Sequence, residues 1–270
     1  VSNFNMRQNG YDISADALGY PESYYTPPTE AIERIEILRG AAGLQFGTQF
    51  GGMINYRFAG APRNRKMAGN FRQTVGSYGF FNSFNQVGGT VGAYSYNAFY
   101  QYKHYEGWRP NSGMNSHNAF AGLTCRVSDK LQVAGEFTHL TYLSQQPGGL
   151  TDRQFDADET VSTRARNWFR VNWNLLSVNA DYRLTDRTRF SAVGFGLDAG
   201  RDALGFIGRA DRADDTSTYR NLLSDKYRNH GLELRMLHRY KFAGSSSHFL
   251  AGARYYRGHT ARKQGDGDRT

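Results

Sequence analysis

Side chains that could hold an anion are easier to find in this sequence than any that could break a bond. Arg109, Arg153, Arg164, Arg166, Arg209 and Arg212 fall in three long polar stretches, 105–116, 147–172 and 206–228. A guanidinium fork matches carboxylate or phosphate oxygens, and the chain carries a formal net charge of +9. No run of Lys and Arg forms, so the balance points to an anionic ligand or surface rather than to nucleic acid. Trp168, near the end of the second stretch, joins Arg109, Arg164 and Arg166 as a candidate ligand contact. The seven histidines are scattered. His104 and His117 flank one long stretch and could take haem or a metal, but exposed loop histidines are the plainer reading. DADE at 156–159 and GDGD at 265–268 offer carboxylate oxygens for Ca²⁺, or are simply solvated loops. The single cysteine, Cys125, can form neither an intrachain disulfide nor a thiolate metal site. GFGLDAG at Gly194 lacks the spacing of a dinucleotide fingerprint, and no HExxH or GxSxG occurs. The expectation is a protein that is not an enzyme and holds no resident metal or cofactor.

The elements that would position these residues show a period of two. In LSVNADYRLT one face is Leu176, Val178, Ala180, Tyr182 and Leu184, and the other is Ser177, Asn179, Asp181, Arg183 and Thr185. AYSYNAFYQYKHY, HNAFAGLTCRV and GLELRMLHRYKF repeat the pattern. One apolar and one polar face mark a strand between two unlike media. The runs are about ten residues long, the span a tilted strand needs to cross a bilayer. Tyr and Phe recur near their ends, and tight turns (TVGAYS, VSDKLQ, LTDRTR, FAGSSSH) alternate with the long stretches. Transmembrane barrels have both features. A soluble β-domain binding polyanions is the competing reading. The pattern predicts about nine strands, starting near 67, 80, 93, 117, 131, 172, 187, 229 and 247. His139 and Asp198 land on the apolar face, which predicts bulges or a miscounted register near 131 and 187. No stretch is long and apolar enough for a transmembrane helix.

Ahead of these strands lies EAIERIEILRGAAGLQFGTQFGGMINYRF, Glu30 to Phe58. Two β-like runs flank Gly40, Gly43, Gly47, Gly51 and Gly52, a spacing suited to tight turns inside a pore. Glu33, Arg34, Ile35, Glu36, Arg39 and Gly40, then Phe46 and Gly47, then Gly51, Gly52, Ile54 and Asn55 resemble the end of the plug in TonB-dependent outer-membrane receptors. GSYG at Gly76 resembles that family's first short outer loop. The resemblance implies an all-β chain: residues 1–62 as the C-terminal part of a plug, and 63–270 as the first strands of a 22-stranded transmembrane antiparallel β-barrel. It also implies that a signal peptide, a TonB-binding box, half the plug and further strands belong to a longer protein.

PESYYTPPTEAIERIE with LQFGTQFGG resembles most the ferric-citrate branch. The resemblance then implies a bacterial outer-membrane receptor that imports a ferric chelate, citrate or a siderophore. Its partners would be the TonB-ExbB-ExbD complex, outer-membrane lipid and lipopolysaccharide. Haem, cobalamin or a glycan are alternative cargoes, and a passive porin or adhesin is the alternative class. At the plug apex the implied contacts are Tyr24, Tyr25, Gln45, Phe46, Thr48 and Gln49. Glu36 and Arg39 would lock the plug to the wall, with Glu136 and Glu233 as the acids answering Arg39.

Overall fold

The computed structural model describes residues 4–15, 24–40, 46 and 51–267. They form two sheets. The smaller holds β1 (Phe4–Gln8), β2 (Tyr11–Asp12), β3 (Ile32–Leu38) and β4 (Gly52–Phe58) in the order β2-β1-β4-β3. β1 runs parallel to β4, pairing Phe4 with Gly52 through Gln8 with Tyr56. Asn9 and Gly10, both at positive φ, make the two-residue hairpin between β1 and β2, the turn that Asn-Gly favours. Gly52 opens β4 at φ +102, with the Leu38 carbonyl only 1.9 Å from where a Cβ would sit, so no other residue fits.

The larger sheet has nine antiparallel strands in sequence order: β5 (Ala68–Val75), β6 (Phe81–Val91), β7 (Tyr94–Tyr105), β8 (Met114–Arg126), β9 (Leu131–Gln145), β10 (Trp168–Arg183), β11 (Thr188–Gly205), β12 (Asn221–Phe242) and β13 (Ser245–Asp266). The turns at 92–93, 127–130, 184–187 and 243–244 gather at one rim. The long connections 106–113, 146–167 and 206–220 gather at the other. The sheet is not closed: β5 and β13 each pair on one side only among the described residues.

Alternation divides this wall into two faces. Leu176, Val178, Leu232 and Leu234 point outward and are exposed, forming part of an apolar belt. Ser177, Asp225, Asn229 and Glu233 point inward and are buried. Toward the long-loop rim the polarity inverts. Val171, Trp173 and Leu175 face inward and pack with Tyr11, Ile13 and Tyr25 of the small sheet, while Arg170 and Asn172 face outward. A second apolar cluster joins Ala31 and Phe58 to Phe84, Phe99 and Phe120 of the wall. The small sheet therefore sits against the inward face of the large one.

This inversion explains where the sequence expectation fell short. β10 starts at Trp168 and β12 at Asn221, four and eight residues earlier than the expected 172 and 229, because the apolar face there is turned to the small sheet. The expected bulges do not exist: β9–β10 and β10–β11 pair without a register shift. His139 and Asp198 do face outward, but beyond the belt, where His139 bonds Asn174 at 2.7 Å and Asp198 pairs with Arg228 at 2.9 Å.

Candidate functional site in the lumen

Arg7, at a fully buried position on β1, has all five N–H donors occupied. Nε donates to Asn5 Oδ1 (2.6 Å), Nη1 to the Gly10 carbonyl (2.7 Å) and Glu233 Oε2 (3.0 Å), and Nη2 to the Phe46 carbonyl (3.1 Å) and Glu233 Oε1 (2.6 Å). This bidentate pair crosses from the small sheet to β12. Beside it, Arg235 reaches Glu233 at 2.5 Å and Arg254 reaches it at 3.6 Å. Arg254 also donates to Asp12 Oδ2 and to the Phe46 carbonyl, both at 2.5 Å. The Phe46 ring lies between the Arg7 and Arg235 guanidinium groups, 4.8 and 4.5 Å from its centroid, a double cation–π contact.

Three further bridges tie the sheets together. Asn9 at the hairpin tip donates through its side-chain nitrogen to both Glu136 oxygens (3.1 and 3.0 Å), and its Oδ1 accepts from Phe58 N at 2.9 Å. Asn229 donates to the Ser14 and Ala15 carbonyls at 3.0 and 3.1 Å. Glu30 accepts from Asn82 (2.6 Å) and Gln101 (3.1 Å). Burial works to raise the Glu30 carboxyl, but its own backbone N–H and the Asn82 bond hold it below its ordinary range.

Nearer the long loops, Arg201 on β11 donates to the Tyr24 hydroxyl and lies over its ring at 5.1 Å. Its Nε reaches the buried Asp225 at 2.6 Å, and Asp225 also accepts from Arg262 Nε (2.7 Å) and Tyr227 (3.0 Å). Tyr24 rests against Phe169 and Trp173, with ring centroids at 5.4 and 6.5 Å. Arginines and aromatic rings thus converge where the small sheet meets the long-loop end of the wall.

No family model matches the sequence, and no curated protein matches it. Solved structures do. The ferric citrate transporter FecA in its unliganded form superposes at TM-score 0.84 with 20% identity, over 97% of this chain and 40% of that one. BauA, the ferric preacinetobactin receptor from Acinetobacter baumannii, gives 0.76 with 13% identity, over 98% and 40%. The ferripyoverdine receptor of the Pseudomonas aeruginosa outer membrane gives 0.78 with 16% identity, over 96% and 36%. This is the plugged-barrel fold of the TonB-dependent receptors, in part. The chain spans about two fifths of the length of FecA and BauA, and its unclosed sheet agrees with being a portion of that barrel.

Within the receptor fold the expected site residues separate. Phe46 lies in the lumen, in the Arg7 cluster. Tyr24 is half-buried beside Arg201. Tyr25 is fully buried, and its hydroxyl donates to Gln8, whose amide donates to Tyr11 (2.6 Å) and Thr138 (2.9 Å). Burial pushes the Tyr25 phenol well up, and the ring packs in the cluster between the small sheet and the wall. Gln45, Thr48 and Gln49 lie outside the described residues.

The residues expected to lock the sheets do not meet one another. Arg39 is exposed and makes no ion pair with a described residue. Glu36 stays within its own sheet, accepting from Asn55 at 2.7 Å and Arg34 at 3.0 Å. Glu233 and Glu136 do face the small sheet, but Arg7 and Asn9 meet them. The signal missed was QNG at 8–10, a hairpin that turns Arg7 and Asn9 toward the wall.

The outer-loop arginines are also taken. Buried Arg164 donates to the carbonyls of Thr163, Arg212, Gly208 and Arg209 at 2.7–2.9 Å. Arg166 forks onto Asp214 at 3.0 and 2.8 Å, and this bond holds the Asp214 carboxyl below its ordinary range. Arg109 donates to the carbonyls of Gly148 and Val161 and stacks on Trp108 at 5.6 Å. These three residues stitch loops together. Arg153 is exposed on the short helix α1 (Asp152–Ala157). Trp168 begins β10 instead of ending a loop. His104 and His117 bond Asn115 and Tyr100 on the outward face, and no metal-ligating cluster occurs among the described residues.

Proposed function

We propose that this chain is part of a TonB-dependent receptor in the bacterial outer membrane, a non-enzymatic importer of an anionic ferric chelate, citrate or a siderophore. Residues 1–62 are then the C-terminal part of the plug and 63–270 the first strands of the barrel. The observation that carries the reading is the convergence of Arg201, Arg262, Tyr24 and, deeper, Arg254 and Phe46 at the seam between plug and wall. Oxygen-rich anionic cargo is met there by guanidinium and aromatic groups. No chelate is held permanently. Opening the plug breaks the Arg7–Glu233 network, and the TonB-ExbB-ExbD complex supplies the energy through a segment outside this chain. FecA, BauA and the pyoverdine receptors, as their names state, handle ferric chelates, which supports this cargo class.

The test is titration of the full-length protein with ferric citrate, a ferric siderophore, haemin and cobalamin, read by fluorescence of Trp173 beside Tyr24. Saturable quenching by a ferric chelate is expected. Tight binding of haemin or cobalamin alone overturns the assignment.

A further inference from the structure

The inward face of the wall is unevenly charged. Inward positions of β6, β7 and β8 hold two charged groups, Lys103 and Arg126. On β11, β12 and β13 the inward cations stand in three tiers, which the register orders from the long-loop rim to the tight-turn rim. Arg201 and Arg262 are level with Asp225. Eight residues further along β12, about 26 Å of strand, Arg254 is level with Glu233, and Arg235 follows at the next inward position. Arg189, opposite Leu237, then Arg239 and Lys241 form the third tier. Between the first two tiers the inward face is filled by Phe195, Leu197 and Tyr227, in one apolar cluster with Tyr11, Ile13 and Tyr25 of the small sheet.

The tiers differ in what neutralises them. In the first, Asp225 on the wall itself takes Arg201 and Arg262 at 2.6 and 2.7 Å. In the second, Glu233 is the wall's carboxylate, and Arg7 of the small sheet bonds both its oxygens, while Arg254 reaches Asp12 of the small sheet at 2.5 Å. Withdrawing the small sheet removes Arg7, Asp12 and the Phe46 ring together, and leaves Arg235 and Arg254 sharing one carboxylate. The third tier is short of acids even with the small sheet in place. Arg189 pairs with Asp181 at 2.9 Å, and Arg239 and Lys241 are exposed and make no ion pair with a described residue. Beside Arg189 lies a cavity of about 270 Å³ lined by Arg126, Lys130 and Arg183, with Asp129 and Asp181 as its acids.

We propose that the inward face of β11–β13 is a transit track for the anionic ferric chelate. The track starts at the deep end of the proposed contact, Arg254, passes Arg235, and ends at Arg189, Arg239 and Lys241 by the tight-turn mouth. It rests on the chelate-import reading above. With the small sheet seated, the apolar seam at Phe195, Leu197 and Tyr227 separates the first tier from the second. Withdrawal opens the seam and unmasks the second tier in one movement, so an anion leaving Arg201 and Arg262 meets free guanidinium groups on the same strands. An ion path works when each site is favourable enough to enter and weak enough to leave. The hydrated, exposed third tier is weak in this sense, and its steps of two residues, about 7 Å of strand, let one group take the anion before another lets it go.

The test separates binding from import in the full-length protein. Radioactive iron is presented as ferric citrate and as a ferric hydroxamate siderophore, to purified receptor for affinity and to cells making it for uptake. For the chelate that the parent binds, Arg189→Gln/Arg239→Gln should bind with the parental affinity. Its maximal uptake rate should fall at least threefold, with the half-saturating concentration unchanged. Arg189→Lys/Arg239→Lys should restore the rate, since charge and not shape is at work. Arg228→Gln/Arg257→Gln, which removes as much charge from the outward face, should import at the parental rate. If the first variant loses heat-modifiable migration and so is unfolded, Arg239→Gln/Lys241→Gln replaces it with the same expectation. Parental uptake by a folded third-tier variant overturns the track and leaves the receptor reading standing. A loss that lysine does not restore, or that the outward variant shares, also overturns it. A parent that binds and imports neither chelate fails the receptor reading, and the track with it.

Discussion

Arg7 and Glu233 show why a buried ion pair is asymmetric. Removing one member of such a pair costs about 3–5 kcal/mol because the other charge is stranded. Without Arg7, however, Glu233 keeps Arg235 at 2.5 Å and Arg254 at 3.6 Å. Without Glu233, three arginines face each other with only Asp12 to answer them. Arg7→Gln should therefore cost about 3 kcal/mol and Glu233→Gln about 5 kcal/mol, measured by denaturant unfolding of the full-length protein followed at Trp173. Equal losses would remove the shared role of Arg235 and Arg254. Phe46 belongs to the same cluster. Phe46→Ala should weaken ferric-chelate binding several-fold with the barrel intact, since its ring separates two guanidinium groups. Unchanged affinity would take Phe46 out of the binding site.

β10 carries the wall's two-sidedness most clearly. Its outward residue Val178 is 52% exposed in the middle of the apolar belt, between Gly135 and Gly194 on the adjacent strands. An arginine at mid-bilayer on the lipid face costs about 2–4 kcal/mol, so Val178→Arg should lower refolding stability in lipid by that amount. Folding equal to the parent would mean that this face does not meet lipid. Loop elements respond to pH instead. The Arg166 bond depresses the folded Asp214 carboxyl, so its stabilisation is present above the ordinary aspartate range and lost as pH falls through the lowered value. Amide protection in 206–220, relative to the intrinsic exchange rate at each pH, should fall on acidification below about pH 4. Asp214→Asn should exchange fast at neutral pH and lose that response, and an unaltered profile in this variant would exclude the pair as the cause.

At the scale of the whole molecule, the open sheet sets the main constraint. Lipid cannot satisfy a bare strand edge, and β5 and β13 each present one among the described residues. The 270-residue chain alone, added to liposomes, should give no protease-resistant, heat-modifiable species, whereas the full-length protein should. A resistant species from the short chain would mean that it closes by itself or by assembling with copies.

How much of this was legible depended on which contacts are local. The period of two, the nine strands, the alternation of tight and long connections and the outward face at Leu176 and Val178 followed from sequence, because backbone geometry fixes side-chain direction residue by residue. The early starts of β10 and β12 did not, because Val171 and Trp173 face a plug whose position no local pattern encodes. Nor did the pairing of Glu233 with Arg7 rather than Arg39. Those residues lie 226 positions apart, and they meet only because β1 runs parallel to β4 and the Asn9-Gly10 hairpin turns β1 toward the wall. The sequence by itself determined a wall of two-faced antiparallel strands joined by alternating tight and long connections. Tertiary structure decided which arginines join the two sheets and which tie loops together, since burial and partner choice belong to the packed assembly of both sheets.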